Sequence, residues 1–341
     1  MEFRNKIPES ESEKISYFTA LSLIFSYAEL FIPRIIPFLK FGLSNIVILS
    51  AFSLNFSSFF ILTILKSVCS SIFSGTIFTP FFLISLAQSV LSGIFMFFLF
   101  KLNKFCHEKF LSFYGISICG SILSGIIQTF LVSLYLGKEI FSLMGIILIF
   151  NLISGISTAF LKNFFKIPDK IPHLAERSRK KISKKNAAII FLFIVSAFSI
   201  FFFENLYVLI VITFVCVIFQ ICSGRKFKIL PHILLWIFII FTSLLSVNGK
   251  MLFSIGNFSI TEGALLSGIK KSLKLSAITA LSQASVKIDI SLPGIPGDAF
   301  EYFKILLQKF NSKNKKRFSK LKIIKNQSIT QISENSERIS I

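Results

Sequence analysis

Runs of about twenty mostly apolar residues recur along the chain, separated by short polar breaks. "ISYFTALSLIFSYAELFI", "FFLISLAQSVLSGIFMFFLF" and "NAAIIFLFIVSAFSIFFF" are three of them. As helices, runs of this length cross the roughly 30 Å of a bilayer's hydrocarbon core. A chain with many such runs cannot bury them all inside one water-soluble core. In lipid each segment must satisfy its own backbone polar groups, which selects helices over open sheets. Charged residues make up only 16% of the sequence, against about 25% in soluble domains. The sequence therefore predicts an all-α, polytopic membrane protein.

The first fifteen residues are polar, and the run that follows lacks an Ala-x-Ala end, so no cleaved signal is expected. Six spans are expected in the first half, near 15–32, 41–54, 56–74, 79–100, 110–136 and 140–161. They form a six-helix membrane domain over 15–163, after a cytoplasmic N-terminus over 1–14. A basic cytoplasmic linker follows at 164–186. A second membrane module of roughly four helices is expected over 187–296, with spans near 187–203, 205–222, 229–247 and 261–286. The last of these carries Lys270, Lys271 and Lys274, each costing roughly 3 kcal/mol at a bilayer centre. A bundled helix is favoured there over one lying in the interface, because an interfacial helix would leave the basic tail outside. The tail, 297–341, is read as basic, cytoplasmic and partly disordered.

Lysines and arginines set the orientation. With the N-terminus inside, Arg4, Lys6, Lys14, Lys101, Lys104, Lys109, the linker, Arg225, Lys226, Lys228 and the tail are all cytoplasmic. Only Arg34, Lys40, Lys138 and Lys250 fall outside. Both termini are thus expected in the cytoplasm, with the protein in the inner (cytoplasmic) membrane. The net charge of +21 is explained by this topology, and no nucleic-acid partner is implied. Five cysteines show no Cys-x-x-Cys spacing and the three histidines are far apart. Neither a disulfide framework nor a metal site is indicated, and no cofactor is expected.

The segment Glu29–Ile46, "ELFIPRIIPFLKFGLSNI", breaks the first apolar stretch with Pro33 and Pro37 and returns charge to its edge. Proline bars regular helix, and irregular backbone at membrane depth needs protein or water around it. Ionisable groups within spans usually face the bundle interior. Glu29, Arg34, Lys40, Asn45, Lys66 and Gln88 are therefore the candidate substrate-binding residues of an outward-facing pocket, with Gln128 and Asn151 as further amides. The competing reading makes Glu29–Lys66 a structural ion pair and the amides interhelical bonds. Ser22 with Ser26, Ser117 with Ser121, and Ser121 with Gly125 form small-residue pairs that let helices approach closely.

Lys40, Gly42, Leu43, Asn45 and Ile46, followed by Lys66 and then by Ser71 and Gly75, resemble the hallmark of the Gx transporter family. That family looks like the substrate-binding S components of energy-coupling factor (ECF) vitamin transporters and is often labelled heptaprenyl diphosphate synthase component I. The resemblance covers about residues 15–163, and departs from the family at Lys66, where arginine is more usual. It implies a six-helix S-component-like bundle. Gly256 to Ile278 more faintly resembles the front of an ECF T component, which implies a truncated T-like module.

Prenyl chain elongation needs paired aspartates to hold Mg²⁺ against diphosphate. Asp169, Asp289 and Asp298 stand singly, and a phosphate-binding Gly-x-x-x-x-Gly-Lys-Ser/Thr loop is also missing from the sequence. No enzyme activity is expected. The resemblance implies a membrane subunit that binds a small anionic or vitamin-like solute, with separate ECF-type ATPases as partners. The alternative is a non-catalytic accessory subunit of isoprenoid or quinone synthesis.

Overall fold

A computed structural model describes residues 9–29, 39, 41–107, 111–165, 184–224, 227, 229–246, 248–255, 258–285 and 294–310. The described residues are almost wholly helical. In the first half, α1 spans Glu9–Glu29, α2 Asn45–Ser50, α3 Phe56–Ser74, α4 Pro80–Phe105, α5 Phe113–Leu136 and α6 Met144–Phe164. In the second, α7 spans Lys184–Ile200, α8 Leu206–Cys222, α9 Ile229–Leu244 and α10 Glu262–Ser285. A further helix, α11, covers 295–310.

Local chemistry sets several of these ends. Gly75 stops α3 in the left-handed conformation at φ 70°, which glycine adopts without a Cβ penalty. Pro80 opens α4 at its first turn, where the missing N–H costs nothing. The Ser112 side chain caps α5 by accepting from the N–H of Gly115, and Asn205 caps α8 by accepting from Tyr207. Four helical stretches among the described residues are long and apolar enough to cross a membrane: α3, α4, α5 and Lys138–Phe164. Three shorter apolar helices lie in the second half.

The second expected span takes an unexpected form. Only the six residues of α2 are α-helical, and residues 51–54 run on as turns and irregular backbone. This is permitted because protein covers the segment: Val47, Ile48, Leu49, Ala51 and Phe52 are all buried. They share a core with α1, α3 and α4, in which Phe52 stacks on Phe100 at 4.8 Å.

In the first half α1 packs on α3, α3 on α4, α4 on α5, α5 on α6, and α2 on α6. Helices α5 and α6 approach closely. A Cβ on Gly155 would lie 2.6 Å from Ser121 Oγ and 3.1 Å from the Ser117 carbonyl, and Ser117 Oγ donates to the Gly155 carbonyl at 2.8 Å.

In the second half α10 packs among α7, α8 and α9, and most of its residues are buried. Its three lysines are provided for. Lys274 Nζ donates to the Phe201 carbonyl at 2.9 Å and to Glu204 at 2.8 Å, Lys271 Nζ donates to the Leu136 carbonyl at 2.7 Å, and Lys270 lies 3.9 Å from Glu204. The segment is a bundled helix.

A core of Ile84, Val132, Leu136, Ile140 and Ile147 with Leu235, Ile239 and Leu275 joins the two halves. A two-stranded antiparallel hairpin, β1 (Met251–Ile255) and β2 (Phe258–Thr261), precedes α10. Helix α11 falls where the sequence reads as polar tail. It packs on α1 and α3 through Tyr302, edge-on to Tyr17 at 5.7 Å, and Phe303, edge-on to Phe73 at 5.3 Å.

Candidate functional site

Polar side chains that are costly beside lipid can be carried by an apolar helix when they line up on its protected face. Serines at three- and four-residue spacing do this here: Ser67, Ser70 and Ser74 on α3, Ser85, Ser89 and Ser92 beside Gln88 on α4, and Ser121 and Ser124 with Gln128 on α5. With Asn151 and Ser154 of α6 and the end of α1, these faces enclose one cavity in the first half. It offers about 80 Å³ to the centres of water-sized molecules, several times the roughly 15 Å³ that one ordered water requires.

Four of the six candidate residues, Glu29, Asn45, Lys66 and Gln88, line this cavity. Arg34 and Lys40 lie outside the described residues. Glu29 is 4% exposed and Lys66 7%, so both ionisable groups sit within protein. Lys66 Nζ donates to Asn45 Oδ1. Glu29 Oε1 accepts from the N–H of Gly42 at 3.1 Å. Gln88 Nε2 donates to Gln128 Oε1 at 3.0 Å and to the Ser124 carbonyl at 3.2 Å. Asn151 Nδ2 donates to the Ile147 carbonyl at 2.8 Å.

The turn that presents Asn45 depends on Gly42. Its φ of +67° is left-handed, and a Cβ there would stand 3.0 Å from Asn45 Nδ2. The turn is tied to α6 because Ser154 Oγ donates to the Phe41 carbonyl. Helices α1, α3 and α6 therefore all bear on the place where Asn45 meets Lys66.

The wall carries one amine, one carboxylate, four amides and eleven serines. Amides and hydroxyls both donate and accept, so the chamber can match a small solute with several heteroatoms, and Lys66 supplies one amine. Sequence reasoning missed the serines as lining residues. The repeat of serine on one helical face was the available signal. Ser121 was noticed only as a packing residue, and it serves both roles, touching Gly155 on one side and the cavity on the other.

Fold and chamber together define the class: an all-α, multi-pass membrane protein with a polar cavity inside its first helical unit. Residues 18–165 match the family model described as "Heptaprenyl diphosphate synthase component I", the family that the motif around Lys40–Ile46 resembles. Residues 184–288 match a family model described as a domain of unknown function, which attaches no activity to the second half. No curated protein and no solved structure matches the chain.

Proposed function

We propose that the protein is a solute-binding membrane subunit, similar in role to the S component of an ECF transporter. One observation carries the reading: α1, the Gly42–Asn45 turn, α3, α4, α5 and α6 all direct polar groups into a single chamber. Polar side chains inside membrane bundles mark solute and ion pathways. Lys66 would attract an anionic group on the solute, Asn45 and Gln88 would orient it, and Glu29 would balance charge. The proposed ligand is a small anionic or vitamin-like solute. The role is binding and transport without catalysis. Separate ATPases would supply the energy, with the second half acting as a T-like coupling module.

A second reading comes from the family description, which names a synthase component. In it the chain is a membrane accessory subunit of isoprenoid or quinone synthesis, and the singly placed aspartates put catalysis in its partner.

Purification of the full chain in mild detergent, followed by mass spectrometry of bound molecules and co-purifying proteins, separates the two. The transport reading expects a small polar solute that is lost in Lys66→Ala, together with ATPase subunits. A prenyl synthase partner and an empty chamber would overturn it.

A further inference from the structure

We propose that the ligand of the polar chamber is a small zwitterion of amino-acid size, a proposal that rests on the chamber being a solute site. Its acid group lies toward Lys66 and its amine toward Glu29. The wall carries one carboxyl and one amine, Glu29 and Lys66, and both are buried. Among the described residues the two are not paired with each other, and Glu29 is in no ion pair. Glu29 Oε1 accepts from the N–H of Gly42 at 3.1 Å, while Lys66 Nζ donates to Asn45 Oδ1. A carboxylate has about four acceptor positions, and Gly42 fills one. A single turn sets the two poles apart. The Asn45 N–H donates to the Gly42 carbonyl at 2.8 Å, so the residues that anchor Glu29 and Lys66 lie within about 7 Å of each other.

Complementarity to both poles selects the solute. An anion alone would answer Lys66 and set a like charge beside Glu29, and a cation alone would do the reverse; both arrangements are costly inside protein. A molecule with an amine and an acid group on neighbouring carbons meets both poles at once, through charge-assisted bonds of about 2.8 Å at each end. Size points the same way. The chamber's 80 Å³ is roughly half the ~150 Å³ of a cavity that takes benzene, and well below the roughly 300 Å³ at which drug-sized sites begin. Among the described residues, Phe73 is the only apolar side chain on a wall of eleven serines and four amides. A long hydrocarbon would strip water from those groups and return no hydrogen bonds. The walls suit a compact polar molecule such as glycine, alanine or serine.

The test is the thermal shift of the full chain in mild detergent, titrated with glycine, L-alanine and L-serine. Their hydroxy-acid counterparts glycolate, L-lactate and L-glycerate, in which a hydroxyl replaces the amine, are titrated beside them. At least one amino acid should bind at least about tenfold more tightly than its hydroxy acid, the factor for a charged hydrogen bond. Glu29→Gln keeps an acceptor for the Gly42 N–H and should bring that ratio close to one, chiefly by weakening the amino acid. Equal weakening of both ligands in the variant would make Glu29 structural and overturn the assignment. Equal binding of amino and hydroxy acids by wild type would also overturn it, leaving the chamber as a site for a plain anion. Binding of none of these probes would overturn it too, and the chamber reading falls with it only if no solute co-purifies with the protein. The wild-type comparison decides even where the variant does not assemble.

Discussion

Lys271, near the middle of α10, donates from its Nζ to the carbonyl of Leu136 at 2.7 Å. Leu136 is the last residue of α5, where helix geometry leaves carbonyls without partners. The lysine thus fills an orphan acceptor, sits at the negative end of a helix dipole and ties the second half of the molecule to the first. Nearby, Tyr135 Oη donates back to the Lys271 carbonyl at 3.5 Å. A charge that looks expensive in a one-dimensional reading is a joint between two helical units.

Removing that joint should be costly. Lys271→Met is expected to lower stability by about 1–2 kcal/mol, the range for a charged hydrogen bond at a helix C-terminus. Lys270→Met should cost under about 0.5 kcal/mol, since its contact with Glu204 is long and Glu204 is 72% exposed. Thermal unfolding of the two variants in the same detergent measures the difference. Equal losses would mean that the Leu136 contact contributes nothing specific.

Gly42 offers a test of the chamber that leaves its polar groups in place. Gly42→Ala adds a Cβ at φ +67°, 3.0 Å from Asn45 Nδ2, and the left-handed conformation alone costs an alanine about 1–2 kcal/mol. The turn should shift, moving Asn45 away from Lys66 and weakening solute retention. Gly145→Ala is the matched control, because nothing lies within 4 Å of its added Cβ. Co-purified solute per mole of protein should fall in the first variant and hold in the second.

Lys66 and Gln88 should separate binding from folding. Loss of a charged hydrogen bond to a ligand is worth about 1.5–3 kcal/mol, so Lys66→Ala should reduce affinity at least about tenfold, while the loss of its bond to Asn45 should lower stability no more than Lys271→Met does. Gln88→Ala should weaken binding less, because it removes a neutral group. Parallel losses of affinity and midpoint in both variants would instead make these residues helix glue.

Much of this architecture can be read from hydropathy alone, because a membrane forces apolar runs into helices. The costliest polar residues were legible for the same reason: Glu29, Asn45, Lys66 and Gln88 interrupt apolar stretches and meet at one chamber. Serines escape such reasoning because a serine on a helix can bond its own preceding turn, as Ser50 does to the Ile46 carbonyl at 2.8 Å. Only the three- and four-residue repeat along α3, α4 and α5 sets Ser85 or Ser124 apart from that serine, and no single position carries it. Tyr302 and its helix were hidden differently. Asp298, Glu301, Lys304 and Lys309 make the segment read as polar, while its apolar face emerges only against Tyr17 and Phe73. The shortness of α2 was likewise illegible, since hydropathy reports how apolar a stretch is and not whether protein surrounds it.

Glu204, in the connection between α7 and α8, should give the second half a measurable acid sensitivity. The hydrogen bond from Lys274 holds its carboxyl below the usual range, with the charges of Lys274 and Lys270 acting in the same direction and a little burial opposing them. A carboxyl depressed in the folded state contributes stability at pH values above its unfolded pKa, and loses it as pH falls through the folded value. Glu204→Gln keeps an acceptor for Lys274 but abolishes the charge. Wild type should therefore unfold at a slightly higher temperature than Glu204→Gln at neutral pH, and the gap should close as the solution is acidified below the ordinary carboxylate range. Because Glu204 is 72% exposed, the gap should be small and should also close in molar salt, where the screening length falls to about 3 Å. A gap that persists in acid would assign the effect to packing around Phe201 and not to the ion pair.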